Sequence, residues 1–171
     1  MVLLRNPRFS PPDSGIPLAT RKGTSIPNEQ GKSHQPRLLD LFVEKYRREL
    51  PSAVPQVIDA TYNCAGLVFA CRRTGVRPQD MRWILEEDEY QLLGSDEQPN
   101  IGDIVLYAHS GELTHAGIIF EYKMTPDSAE TRVLSKWGWA GAEYLHDLNR
   151  VPVEYGEPVE FWRHIKHYGA R

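Results

Sequence analysis

The chain has 171 residues, 40% of them apolar and 25% charged, with a formal net charge of −3 and a pI near 6.1. That is enough chain to bury the core of one ordinary domain, and the composition is globular rather than disordered. It excludes an overall basic nucleic-acid footprint, and no apolar run approaches the roughly 18 residues that span a bilayer.

The chain opens on Met1 to Leu4, apolar but too short for a signal core, with Arg5, Asn6 and Pro7 directly behind. A Sec-exported protein is therefore not expected. The expectation is a chain that is cytoplasmic as synthesised, with delivery by a specialised secretion system left open. Residues 1–37 hold six of the 13 prolines and carry six basic against two acidic side chains. No period survives there, so the segment reads as a Pro-rich basic arm, extended or partly disordered. Two roles are open for it: a strap lying across the domain, or an arm that contacts a partner.

The folded domain is expected over 38–171. Leu38, Leu39, Leu41, Phe42, Val43, Tyr46 and Leu50 are spaced as one face of a helix, which Pro51 stops. A loop with Pro55 leads to a second helix that starts at Asn63 or Cys64 and runs to Arg73, with Gly75 closing it. Pro78 opens a third helix that reaches about Leu93. It carries the acidic run Glu86 to Glu89, read as a solvated face.

Beyond Gly94 the pattern turns to strands, at 103–107, 114–122, 132–137 and 159–163, with 138–156 left as turn-rich chain. Helices come first and antiparallel strands second. The expected fold class is therefore α+β, N-terminal helices packed on a small antiparallel sheet.

Cys64, Leu67, Val68 and Cys71 share one face of the second helix. On a common helix the two cysteines lie roughly 10.5 Å apart, too far for a disulfide. No CxxC or HExxH pair marks a zinc site. Cys71 is expected to be a small core hydrophobe. Cys64 is different, because it follows Asn63, a good N-cap type, where unpaired N–H groups favour a thiolate and lie ready for an oxyanion. A cysteine nucleophile needs a base. Of the six histidines, His34 is in the arm, while His109, His164 and His167 read as solvated. His115 opens an apolar strand, with Gly117 leaving room on the same face.

Three blocks, Tyr62-Asn-Cys-Ala-Gly-Leu-Val68, Gly102-Asp-Ile-Val-Leu-Tyr107 and Thr114-His-Ala-Gly-Ile-Ile119, resemble in order and spacing the motifs of the NlpC/P60 and CHAP cysteine peptidases and amidases. The resemblance spans roughly residues 59–163. It departs from the family at Asn63, where Asp is usual, and at Ala65, where Ser is usual. It implies a papain-like fold with Cys64 as nucleophile and His115 as base. The family places a polar third residue on the next strand. Here that strand offers Lys136, which has only donors, and Ser135, which can accept a hydrogen bond from the imidazole and is chosen. His146 and Asp147 are held in reserve.

Tyr62 matches a position that helps line the oxyanion site. Trp137 and Trp139, on a Gly-rich stretch, are candidates to line a substrate cleft. The implied activity is hydrolysis of amide bonds in a peptide or protein, such as a cell-wall peptide or an isopeptide, with no metal or organic cofactor and no nucleic acid or membrane partner. The alternatives are a deamidase or an acyl- or transamidase of the same fold, or a catalytically silent binding module.

Overall fold

The computed structural model describes residues 15–31, 36–124, 129–139 and 141–165. His34 and His167 lie outside the described residues. The helices and strands, in chain order, are β1 (Asn28–Glu29), α1 (Pro36–Glu49), β2 (Val54–Ile58), α2 (Cys64–Phe69), β3 (Gly75–Val76), α3 (Met81–Glu87), β4 (Tyr90–Leu92), β5 (Ile104–His109), β6 (Glu112–Met124), β7 (Ala129–Lys136), β8 (Ala142–Asp147) and β9 (Glu157–His164). Among the described residues no helix is long and apolar enough to cross a membrane.

Seven strands form one antiparallel sheet in the order β2-β8-β7-β6-β5-β9-β4. Both faces are covered. On one, Ala65 of α2, Ala70 at its C-cap and Met81, Ile84 and Leu85 of α3 pack on Ile104, Leu106 and Ala116. On the other, Tyr46 of α1 packs edge-on against Trp137, which stacks on Tyr144. Strand alternation extends that second face through Ser135 and Val133 to Ile119, Val105 and Tyr107. The class is mixed helix and antiparallel sheet, in line with α+β.

Residues 15–31 form a strap on the α2 face. Ile26 is in the core, and β1 pairs with β3. Asn28 is the hub. Its side-chain oxygen accepts from Ile16 N and from the Thr74 hydroxyl, and its amide donates to the carbonyls of Ile16 and Ile26. The acidic run expected to be solvated anchors this strap, since Glu87 accepts from the Thr20 hydroxyl and Asp88 from Arg21 N.

Several boundaries differ from expectation. α2 stops at Phe69, four residues early, because Cys71 and Arg72 take left-handed φ values of 49° and 65°. Gly75 is part of β3 instead of a helix stop. Its flatness matters for packing, since a Cβ there would lie 2.0 Å from the Trp139 ring. α3 is short and gives way to β4 after Glu89, which itself takes φ 61°. Five strands lie where none was expected: β1 in the arm, β3 at the expected helix stop, β4 in the expected third helix, β2 around Pro55 and β8 in the turn-rich stretch. Pro55 is tolerated because β2 is an edge strand whose pairing is irregular between Pro55 and Ile58.

Candidate active site

Asn63 fixes the start of α2. Its side-chain oxygen caps the Gly66 N–H at 2.9 Å and accepts from Val76 N, while its amide donates to Val76 O at 2.8 Å. The same side chain thus ties the helix to β3. Gly66 is required for that approach, because a Cβ would meet Thr74 O at 2.0 Å.

Cys64 follows the cap and is 5% exposed. Burial pushes its thiol pKa up. The backbone N–H groups of Ala116, Ala65 and Cys64 itself and the Lys136 ammonium pull it down. The Ala116 contact brings the sulfur against β6 one residue beyond His115.

The His115 ring is fully buried. It stacks on Tyr155, with centroids 4.0 Å apart and planes at 7°, and tilts against Tyr107. Burial, and secondarily His146, drives its pKa well below the ordinary histidine value, so the ring is neutral near pH 7. Among the described residues neither ring nitrogen has a hydrogen-bond partner, and no hydrogen bond joins the ring to Cys64. A buried, neutral imidazole with both nitrogens uncommitted is an uncommon state and one found at reactive centres.

Ser135 does not serve His115. Its hydroxyl lies 2.8 Å from His146 Nε2 and accepts from Trp137 Nε1 at 3.0 Å. The cause is the unforeseen strand β8, which places His146 on the same face as Ser135. His146 Nδ1 is in turn 2.9 Å from the Asp147 carbonyl, and burial lowers the His146 pKa to about 4. Asp147 itself is exposed.

The expected ligand-contacting aromatics separate. Trp137 is 1% exposed and belongs to the α1 packing, and Tyr62 is fully buried with its hydroxyl donating to Glu143 at 2.5 Å. Neither lines a cleft. Trp139 does border a groove of about 340 Å³, with Pro27 and Glu29 of the strap and Asn63, Val76 and Arg77 beside the helix start. Cys71, expected in the core, is exposed, because the left-handed turn carries it off the helix face.

The feature sequence reasoning passed over is Lys136. Its side chain is completely buried beneath the Trp139 loop and donates to the carbonyls of Gly138, Trp139 and Gly141 at 3.0, 3.2 and 2.5 Å. The ammonium also sits 5.4 Å from the centroid of the Tyr62 ring. Its cross-strand partner Glu143 accepts from Tyr62 and pairs with Arg72 through both carboxylate oxygens. A lysine in a strand followed by a run of glycines was the available signal. Searches with protein-family models, against curated proteins and against solved structures found no match to the chain.

Proposed function

We propose that the protein is a papain-like cysteine hydrolase of amide bonds, with Cys64 as nucleophile and His115 as base. The observation that carries this reading is a thiol set among three backbone N–H groups, one of them that of Ala116, directly after a buried neutral imidazole whose nitrogens have no hydrogen-bond partner among the described residues. The resemblance to NlpC/P60 and CHAP enzymes supports the same two assignments.

In the proposed reaction a reorientation of the His115 ring brings one nitrogen to the thiol. Cys64 Sγ attacks the substrate carbonyl carbon while its proton passes to the imidazole. The resulting oxyanion is held by backbone N–H groups at the start of α2. Collapse breaks the C–N bond, and the imidazolium returns the proton to the departing amine. Water, deprotonated by His115, then splits the thioester, releasing the acid and restoring the thiol. The substrate is a peptide or protein amide, and the reading has the chain act where it is synthesised or after delivery by a specialised secretion system.

The test is incubation with a panel of linear, γ-linked and isopeptide-bonded peptides, read by mass spectrometry for new amine and acid termini. Products are expected with the native protein and absent with Cys64→Ala and with His115→Ala. Cleavage that survives Cys64→Ala would overturn the assignment. A native protein inert to the panel, with Cys64 no more reactive towards iodoacetamide than Cys71, would instead favour a binding module built around the Trp139 groove.

A further inference from the structure

The charge balance around Cys64 is unusual for a Cys–His pair. Among the described residues His115 has no carboxylate, hydroxyl or carbonyl within hydrogen-bond reach of its ring nitrogens, so none of them supports an imidazolium. Ser135, the residue placed by sequence to do so, is committed to His146 and Trp137. A thiolate at Cys64 would therefore lack its customary counter-charge.

Lys136 fills that position. It is adjacent to Ser135 in β7, so alternation sends it to the opposite face, the one on which α2 packs. Its ammonium is fixed at three points by the carbonyls of Gly138, Trp139 and Gly141. It is placed over the ring of Tyr62, two residues before the nucleophile. The groups facing it are Asp59 after β2, Tyr62 and Cys64 at the start of α2, and Glu143 across in β8. Glu143 is shared with Arg72 and Tyr62, and Asp59, Glu143 and Cys64, in that order, favour the charged form of Lys136. Tyr155, whose pKa is raised first by burial and next by Cys64, is a further titratable group near the thiol.

Resting on the hydrolase reading, we propose that Lys136 is a positioning residue that supplies the counter-charge for the Cys64 thiolate while its three carbonyl bonds hold the Trp139 loop over the site. It moves no proton in this scheme. Its own pKa is lowered to about 8 by burial, so it remains largely protonated at neutral pH and loses this role as pH rises through that value.

The experiment follows the rate of iodoacetamide alkylation at Cys64 against pH, with Cys71→Ala as the background so that one thiol reports. Lys136→Gln keeps hydrogen-bond donors for the loop and removes the charge. It is expected to raise the midpoint of the profile by about one pH unit, hence to slow alkylation at pH 7 about tenfold, the factor a one-unit shift implies. Lys136→Arg is expected to restore much of the native midpoint. A loosened loop alone would change the rate at every pH and leave the midpoint in place, and that result overturns the proposal.

Should Lys136→Gln fail to fold, the reciprocal measurement needs no lysine variant: the Lys136 Nζ titration, followed by lysine-selective NMR, is compared in the native and Cys64→Ala proteins. A lower midpoint in Cys64→Ala supports the coupling, and an unchanged one overturns it. The midpoint is read with a small electrophile, so a shift in a protein that cleaves no amide would sink the hydrolase reading and leave the charge coupling standing.

Discussion

Ser135 and His146 face each other diagonally across β7 and β8, hydroxyl oxygen to ring nitrogen at 2.8 Å. The pair is closed off from water and shared with the Trp137 indole. It braces the sheet under α1 and leaves the imidazole of His115 alone.

Ser135→Ala is accordingly expected to act on stability. Removing the hydroxyl leaves the Trp137 N–H and His146 Nε2 buried without partners, at a cost of about 1–3 kcal/mol. Urea unfolding checks the cost. The Cys64 alkylation profile, by contrast, is expected to stay where it is. A profile shifted as far as that of Lys136→Gln would show that Ser135 serves the thiol after all.

The two cysteines are expected to separate cleanly. Cys71 is exposed on a left-handed turn, so Cys71→Ala stays within about 0.5 kcal/mol of native stability and retains any amide hydrolysis. Cys64→Ala abolishes hydrolysis. Denaturant midpoints and product formation, measured on both variants, decide the matter, and a large stability loss in Cys71→Ala would contradict the exposed position.

Gly66→Ala probes the seat of the nucleophile. The new methyl would press on the Thr74 carbonyl, a backbone atom that cannot turn aside, so overpacking should cost roughly 1–3 kcal/mol. Because the same turn carries Cys64, the alkylation profile should shift along with the urea midpoint. A variant as stable as the native protein would mean that α2 and β3 are free to part.

Acid should weaken the fold through its buried histidines. Both His115 and His146 have folded-state pKa values below the unfolded value of about 6.5. The unfolded chain therefore binds more protons in this window, and stability falls as pH drops from about 6.5 towards 4. For His146, whose pKa is near 4, the loss on full protonation is on the order of 3 kcal/mol. Urea titrations at pH 7, 5.5 and 4.5 would show it, and His146→Gln should flatten part of the slope. A flat profile in the native protein would mean that these rings reach water.

The parts of this fold that could be read from sequence are those carried by local pattern. The stripe from Leu39 to Leu50 marks α1, Asn63 before Cys64 marks the cap, and the β-rich runs mark β5, β6, β7 and β9. What escaped depends on partners far along the chain. β8 buries Glu143 and His146, which read as loop polarity until Arg72 and Tyr62 reach the first and Ser135 the second. Lys136 looked unsuited to an imidazole and was set aside, since nothing local announces that three carbonyls and a thiol await it. Cys71 fell away from the core because a helical spacing was continued past Phe69, where the backbone had already turned.

The strap bears on how this protein is cut and carried. Helical periodicity begins at residue 38, and an expression boundary drawn there would amputate Ile26 from the core and strip β3 of its pairing strand. Thr74, Glu87 and Asp88 would lose their strap partners together. The smallest fragment that keeps the described core begins at or before Ile16, the residue that closes the Asn28 hydrogen-bond pair. A protease nicking the Thr20–Thr24 turn would leave both halves of the strap in place, held by Asn28 on one side and the α3 carboxylates on the other.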